Sequence, residues 1–276
     1  MLRSLYSGIS GLKNHQVRMD VVGNNISNVN TTGYKSGRVN FMDSLSQYYS
    51  NNPAIGQNQV GTGMKIGSIN NNYTQGALQN TGRTLDLAIQ GNGFFAVKPE
   101  GGAAGSEKYT RDGIFFIDNQ GYIVNSQGLR LQGIVAGAPG TTYDIQISDI
   151  AATPPKRVAE ISISEEGVIS GSYTDGTTLT FANANKIVLY NFANTEGLKK
   201  EGGNLYTKTT ASGDPTLVEA SSVNNNTIAS GYLEMSNVDL SQEMVDMIVT
   251  QRGFQANART ITVSDTLLEE LIQLKR

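Results

Sequence analysis

Few residues in this chain are of types that could perform catalysis or bind a metal. His15 is the only histidine and there is no cysteine, which excludes thiolate zinc sites and sites built from several imidazoles. Glu165 and Glu166 are adjacent, and adjacent side chains of a strand face opposite sides, so we interpret this pair as a solvated turn. The glycines from Gly61 to Gly67 lack the spacing of a phosphate loop. We therefore expect no catalytic, cofactor-binding or metal-ligating residues.

The composition favours a turn-rich β protein over a compact helical enzyme. The 276 residues include 31 glycines, only 38% are hydrophobic and only 16% are charged, and both of these fractions are below the averages of globular proteins. The net charge of −3 and the lack of a basic stretch argue against nucleic-acid binding. The sequence has no apolar run of about 18 residues and no apolar core of a signal peptide at its start. We expect neither membrane insertion nor a cleavable signal.

The N-terminal segment has apolar residues alternately three and four positions apart. This spacing is that of a heptad seam and predicts a helix that packs against another helix; an ordinary amphipathic core helix is the alternative. Gln16 and Gly23 complete the pattern. The apolar seam positions are Leu2, Leu5, Ile9, Leu12, Met19 and Ile26.

The C-terminal segment repeats this pattern over a longer stretch. Ser236 or Asp239 could cap its start, and the helix would be about 50 Å long at about 1.5 Å per residue. Gln251 and Asp265 are polar seam positions. The two helices would pair with each other or with copies from neighbouring subunits. The apolar seam positions are Leu240, Met244, Met247, Phe254, Ala258, Ile261, Leu268 and Ile272.

The sequence between the helices predicts extended structure followed by short strands. Residues 40–82 are rich in Asn, Gly, Gln and Ser, and we expect a short helical turn near Met42–Tyr48 and one or two strands near Met64–Tyr73. From Leu85 onwards, strands at a spacing of 8–12 residues predict an all-β sandwich or barrel. Hairpin signals lie at residues 91–93, 112–113, 119–121 and 175–176.

The predicted fold is therefore α+β with three domains. Residues 1–34 and 236–276 would form a helical coiled-coil domain. Residues 35–84 would form an extended connecting region, and residues 85–235 a β-rich outer domain.

A more specific signal follows the first helix, where asparagines are dense. The opening MLRSLYSGISGLKNHQVRMDVVGNNISNVNTTGYK, the central GRTLDLAIQGNGFF and YTRDGIFFIDNQGYIV, and the end from SGYLEMSNVDLS onwards resemble the axial proteins of the bacterial flagellum, the rod and hook proteins. These motifs occur in the family's order and cover both ends and much of the middle. The signature residues are Asn24, Asn25, Asn28, Asn30, Thr32, Gly33 and Tyr34.

The resemblance implies a structural subunit of the flagellar hook, a hollow, flexible helical tube that transmits torque from rod to filament and conducts exported subunits, without enzymatic activity and without a cofactor. Residues 233–241 and 187–206 are most similar to hook proteins of the short, Gram-positive type, whereas the length is also similar to that of distal rod proteins. For a hook subunit the implied partners are further copies of the chain, the distal rod protein, the hook–filament junction protein, the hook cap and the type III export apparatus. The location would be the extracellular hook, reached without a cleavable signal.

Three alternatives stay open at this point. The first is a distal rod protein, which would have the same fold in a stiff assembly. The second is an enzyme with a β catalytic domain, such as a peptidoglycan hydrolase. The third is an adhesin-like module that binds through its β body.

Overall fold

The structure is a computed structural model that describes residues 2–52, 56–102, 105–135, 138–148, 157–220 and 226–274. The chain divides into two compact units. The first, which we call the helical unit, contains residues 1–29, 36–72 and 238–276, and the second, the β unit, contains residues 30–35 and 73–237. Two long helices from the two ends of the chain and a β-rich middle make the protein α+β, as predicted.

The helical unit contains two helices and four strands. Strand β1 pairs with β4 and β2 pairs with β3, both antiparallel. The helical turn expected near Met42–Tyr48 was wrong, because Phe41 and Met42 satisfy their backbone groups by pairing with Ile66 and Lys65. The strand expected near Met64–Tyr73 is confirmed as β4. The elements are α1 (Leu2–Ser27), β1 (Gly37–Asp43), β2 (Ser46–Asn52), β3 (Gly56–Gly61), β4 (Met64–Asn71) and α2 (Leu240–Leu274).

Helix α2 begins at a capped N-terminus. The Asp239 carboxylate accepts hydrogen bonds from the backbone N–H groups of Ser241 at 2.9 Å and Gln242 at 3.3 Å. These bonds satisfy two of the donors that the first turn of a helix leaves free, which confirms Asp239 as the cap. The 35 residues of α2 correspond to a length of about 52 Å.

Helices α1 and α2 pack antiparallel, and glycines at their contact leave room for side chains of the other helix. A Cβ atom at Gly11 would lie 2.7 Å from the side chain of Asn257, and one at Gly253 would lie 2.8 Å from the ring of His15. A Cβ atom at Gly23, in contrast, would have no neighbour within 4 Å. The close approach is therefore confined to particular positions of the two helices.

The β unit consists of short strands and one 3₁₀ turn, Thr195–Gly197. The strands are β5 (Leu78–Asn80), β6 (Leu87–Gln90), β7 (Phe94–Lys98), β8 (Lys108–Thr110), β9 (Phe115–Ile117), β10 (Ile123–Asn125), β11 (Arg130–Val135), β12 (Ala138–Asp144), β13 (Val158–Ile163), β14 (Ile169–Tyr173), β15 (Lys186–Asn191), β16 (Lys199–Gly202), β17 (Leu205–Thr207), β18 (Thr216–Glu219), β19 (Thr227–Ser230) and β20 (Tyr232–Glu234).

Ten of these strands form one antiparallel sheet that is buried on both faces. Its main path is β16-β17-β8-β7-β15-β11-β10-β9, with β12 beside β11 and β18 beside β15. Alternate residues of β7 point to opposite faces, so Phe95 belongs to one apolar core and Phe94 to a second. The remaining strands form the two-stranded pairs β13-β14, β19-β6 and β20-β5.

Two of the four predicted hairpin turns are confirmed. Residues 119–121 connect β9 to β10, which pair with each other, and residues 175–176 lie in a turn in which Tyr173 N–H donates to the Thr177 carbonyl. The turns at 91–93 and 112–113 are not hairpins. Strand β6 pairs with the distant β19, and β8 pairs with β7 and β17 instead of the strand that follows it.

A buried ion cluster joins the segments through which the chain enters and leaves the β unit. Lys35 Nζ lies 2.6 Å from Glu234 Oε1, and Arg111 Nη1 lies 3.0 Å from Glu234 Oε2. The side chains of Lys35 and Glu234 are completely inaccessible to solvent. Burial lowers the pKa of Lys35, and the Arg111 guanidinium acts in the same direction, whereas the Glu234 carboxylate raises it.

The cluster is satisfied by backbone groups as well as by its charges. Lys35 Nζ also donates to the Thr74 carbonyl at 2.8 Å, and Arg111 Nη2 donates to the Gly91 carbonyl at 2.8 Å. The Gly76 N–H donates to Glu234 Oε1 at 2.9 Å. Removing one partner would therefore leave a buried charge uncompensated.

We predict that Glu234→Gln destabilises the β unit by about 3–5 kcal/mol, because it leaves two buried cations without a carboxylate. Urea unfolding of the full chain, followed by the near-UV circular dichroism of its buried tyrosines, measures this change. The control is Asp214→Asn, which breaks the exposed Lys208–Asp214 pair and is expected to cost less than about 1 kcal/mol. Equal effects of the two substitutions would show that the cluster does not stabilise the β unit.

The close approach of α1 and α2 gives a second prediction. We expect Gly11→Leu to lower the stability of the helical unit by about 1–3 kcal/mol, since the new side chain overpacks the contact with Asn257. The matched change Gly23→Leu is expected to raise it by about 0.5–1 kcal/mol through helix propensity alone. Thermal unfolding monitored at 222 nm compares the two variants. If both stabilise the helices, the proposed tight packing at Gly11 is wrong.

Candidate polymer interface on the terminal helices

The face that α1 presents to α2 consists of small and polar residues. Gly8 lies against Thr260 and Ile261, and Gly11 against Asn257. The Arg18 guanidinium lies 3.1 Å from the Asp246 carboxylate. The members of this face on α1 are Ser4, Gly8, Gly11, His15, Arg18 and Asn25, and on α2 they are Glu243, Asp246, Gly253, Asn257, Thr260, Ile261 and Ser264.

This contact face has the predicted heptad spacing but lies one residue before the predicted seam on both helices, except at Ile261. One residue corresponds to a rotation of about 100° around a helix axis. The apolar seam positions therefore flank the intramolecular contact instead of forming its centre. The first of the two possibilities drawn from the sequence was that the two helices of one chain pair through the apolar seam itself. This geometry corrects that expectation.

The predicted seam positions are only partly covered. Ile9 is 40% exposed, and Met244 and Ile272 are 51% and 66% exposed. Leu240 is also exposed, and Leu2 begins α1 with a side chain outside the described residues. The half-buried seam positions are Leu5, Leu12, Met19, Ile26, Met247, Phe254, Ala258, Ile261 and Leu268.

Helix α2 is longer than its partner and continues past it. Because Ser4 Oγ lies 3.4 Å from Ser264 Oγ in the antiparallel pair, the last residues of α2 extend beyond the start of α1 at Leu2 by about 12 Å at 1.5 Å per residue. Leu271, Ile272 and Leu274 are exposed on this extension. Exposed apolar patches of this kind are typical of protein–protein interaction sites.

Within the helical unit, the signature asparagines make specific backbone contacts. Asn25 is 1% exposed. Its side-chain amide donates to the Gly37 carbonyl and accepts from the Gly37 N–H, both at 2.9 Å, and also donates to Glu243 Oε1 at 2.9 Å. Asn28 Nδ2 donates at 2.9 Å to the Asn24 carbonyl, which also accepts the backbone N–H of Asn28 at 3.2 Å.

The hydrogen bond from Asn25 fixes an acidic residue in the first turn of α2. Burial raises the pKa of Glu243, and Asp246 acts in the same direction, whereas the bond from Asn25 and the Arg18 charge lower it. A carboxylate near a helix N-terminus is also favoured by the helix dipole. Asn25 therefore connects the end of α1, the start of β1 and the start of α2.

The remaining signature residues belong to the β unit. Gly33 has a φ of +65°, its N–H donates to the Glu234 carbonyl at 2.8 Å, and a Cβ atom there would lie 2.7 Å from the backbone of Asp112. Thr32 donates to the Asp112 carboxylate at 3.0 Å. Tyr34 is buried and packs beneath a lysine ammonium, whereas Asn30 is exposed.

A cleft of about 710 Å³ lies between α1, β1 and the start of α2. Its lining combines apolar Val39 and Phe41 with the charged Arg18, Glu243 and Asp246. Arg18 and Asp246 pair with each other, so two of the charges are already neutralised. This arrangement resembles a recess for a protein segment more than a site for a reacting molecule.

His15 acts as a packing residue near this cleft. Its ring lies edge-on to Phe41 at a centroid distance of 5.9 Å, and its buried Nδ1 has no hydrogen-bond partner among the described residues. Burial lowers the pKa of His15, and the Arg18 charge lowers it further. Across the described ranges, no three His, Asp or Glu side chains converge as a metal site would require.

Neither helix, over the part of the chain that the structure describes, combines the length and apolarity needed to cross a membrane. Sequence reasoning did not single out Lys35, Arg111 and Glu234, because nothing in the three motifs that contain them shows that their side chains converge. Asn25 was singled out, but its partners Gly37 and Glu243 were not. The one available signal was the density of asparagines after α1.

Three family models match segments at both ends and in the middle of the chain. "Flagella basal body rod protein" matches residues 5–35, "Flagellar hook protein FlgE/F/G D1 domain" matches residues 88–171, and "Flagellar basal body rod FlgEFG protein C-terminal" matches residues 229–274. The matched segments contain most of both helices, the signature asparagines and much of the β unit.

Curated relatives of two kinds resemble the chain over its whole length. The flagellar basal-body rod protein FlgG of Bacillus subtilis is 41% identical over 284 residues, covering 100% of both chains. The FlgG protein of Borreliella burgdorferi is 35% identical over 286 residues, again covering 100% of both. The flagellar hook protein FlgE of B. burgdorferi is 30% identical over 448 residues, with 100% of both chains covered. This chain therefore belongs to the family of flagellar hook and rod proteins, which are structural components of the bacterial flagellum.

Proposed function

We propose that the chain is a structural subunit of the flagellar rod, and that it polymerises with copies of itself into a hollow helical shaft. The observation that carries this proposal is the uncovered apolar surface of the terminal helices. The intramolecular contact uses glycine and polar residues, so the apolar seam positions remain available to neighbouring copies. Their burial would supply the association energy, at about 25 cal/mol per Å² of apolar surface removed from water.

The choice of rod over hook rests on length. The rod relatives align with this 276-residue chain over 284 and 286 residues. The hook relatives align over 448 and 472 residues, so they contain long segments without a counterpart here. A straight shaft needs no large outer domain, and a chain of this length supports the rod assignment.

The hook is the second candidate, because residues 187–206 and 233–241 are similar to hook proteins. In that case the polymer would be a flexible universal joint that transmits torque from rod to filament and conducts exported subunits. Its neighbours would be the distal rod protein, the hook–filament junction protein and the hook cap. For both candidates we propose passage through the type III export apparatus.

The three-domain organisation stays a proposal for the assembled polymer. Residues 1–34 and 236–276 would form the inner tube, residues 35–84 would connect neighbouring copies, and residues 85–235 would face outwards. In the single chain, residues 35–84 are divided between the two units. Residues 36–72 belong to the helical unit, and the others belong to the β unit. Contacts with neighbours in the polymer would decide how that segment is arranged there.

We predict that Leu12→Asp and Ile261→Asp each block polymer formation, because each places a charge on an apolar seam that assembly buries. Ile261 also lies against Gly8 of α1, so Leu12→Asp is the variant that tests the seam alone. Electron microscopy and sedimentation of the purified variants measure the amount of polymer. The matched controls Lys13→Asp and Thr262→Asp introduce the same side chain at the adjacent exposed positions and are expected to assemble. Normal polymers from either seam variant would contradict the seam assignment.

Immunogold electron microscopy of isolated hook–basal bodies separates the rod from the hook. An antibody against residues 85–235 is expected to label the straight shaft below the hook. Label confined to the curved segment would replace the rod assignment with the hook. Label on neither structure would exclude both candidates.

A further inference from the structure

A second pattern lies on the flank of the α1–α2 contact that is opposite to the apolar seam of α2, and the proposed function has not used it. Its members are all exposed, and Val249 and Leu267 are 54% and 47% exposed. We call this set the outer stripe. In the N-terminal half of α2 it consists of Val245, Ile248, Val249, Arg252 and Ala256, and in the C-terminal half of Val263, Thr266, Leu267, Glu270 and Leu274.

The two halves of the outer stripe repeat at an interval of 18 residues. Eighteen residues of an α-helix make five turns and rise about 27 Å, so residues 18 apart point in the same direction. The repeat pairs valine with valine, Val249 with Leu267 and Ala256 with Leu274. At one position of the repeat the paired residues, Arg252 and Glu270, have opposite charges.

We propose that the α2 helices of two copies pack in parallel along their outer stripes, with one displaced by 18 residues relative to the other. The C-terminal half of one helix then lies against the N-terminal half of the next. This inference rests on the proposed function, since it specifies how copies of the chain contact each other in the polymer.

The charges exclude the other simple pairings of the same stripes. Without displacement, a parallel pair would place Arg252 against Arg252 and Glu270 against Glu270. An antiparallel pair of the two halves would place Arg252 against Leu267 and Glu270 against Val249, which would bury both charges without partners. Among these three pairings, the parallel, displaced one alone gives Arg252 and Glu270 an opposite charge.

Over the part of the chain that the structure describes, neither of these two side chains has a partner charge. Arg252 and Glu270 are exposed and take part in no ion pair in the described ranges of the chain. An exposed charge pair contributes little affinity, but like charges at an interface suppress the wrong pairing. The pair would therefore set the register of the helices more than the strength of their contact.

The displacement also explains how the contact could propagate. In a displaced pair each copy uses the C-terminal half of its stripe on one neighbour and the N-terminal half on another, so the contact is heterologous and does not close. Two displacements cover about 54 Å, close to the length of about 52 Å expected for the 35 residues of α2. Every second copy would thus follow end to end without overlap, while successive copies overlap along half of α2.

Disulfide cross-linking tests the register, because the chain contains no cysteine. We expect Val249→Cys combined with Leu267→Cys to give a ladder of cross-linked multimers when the assembled polymer is oxidised and run on a non-reducing gel. Each single substitution is the matched control and is expected to give monomer only. A dimer from Val249→Cys alone would indicate an undisplaced pair and overturn the proposed register.

A charge exchange tests the same contact without new cysteines. Arg252→Glu and Glu270→Arg should each cause loss of sedimentable polymer, and the double variant should restore it. Glu269→Arg is the control, because the residue 18 positions earlier is the uncharged Gln251, and it is expected to assemble normally. No rescue by the double variant would overturn the pairing of Arg252 with Glu270.

The outcomes separate this inference from the proposed function. Polymers that form normally but give no ladder would overturn the displaced register and leave the structural role intact. If the unmodified chain forms no polymer under any condition and labels no flagellar structure, the proposed function fails and this contact fails with it.

Discussion

The β unit depends on the ion pairs that the buried carboxylate of Glu234 forms. Glu234 holds Lys35, one residue before the helical unit resumes, and Arg111 of the sheet, while its backbone carbonyl accepts from Gly33. The two segments that connect the β unit to the helices are thus fixed side by side by charge and backbone bonds together. Breaking a buried pair costs far more than a surface pair contributes, so this junction tolerates little change.

The helical unit is held together differently from the β unit, because its two helices contact each other through glycine and short polar side chains. Glycine in a helix costs about 0.5–1 kcal/mol relative to alanine, and the contact buries little apolar surface in return. Gly11 and Gly253 are retained at positions where a Cβ atom would collide with the other helix. The apolar residues are consequently left at the flanks, which is where a polymer subunit needs them.

The sequence predicted the element types well and the exact helix face poorly. Heptad spacing and the cap at Asp239 are local signals, and both helices form where these signals place them. The contact within the chain lies one residue before the predicted seam, because Gly11 and Asn257 fill it instead of apolar residues, and the seam stays a prediction for contacts between copies. The ion cluster and the pairing of β6 with β19 depend on residues more than 100 positions apart, so no local pattern could reveal them.

The two units differ in how they are stabilised, and this difference has a consequence for assembly. A helix pair with a polar, glycine-based contact is stabilised weakly within one chain, since packing of an apolar face normally provides most of a helix's stability in a protein. In the proposed polymer the half-exposed apolar flanks would become fully buried when copies meet, so each added copy would stabilise the helices of its neighbours as well as its own. Folding of the terminal helices and growth of the polymer would then be coupled, while the β unit remains folded by its own cores.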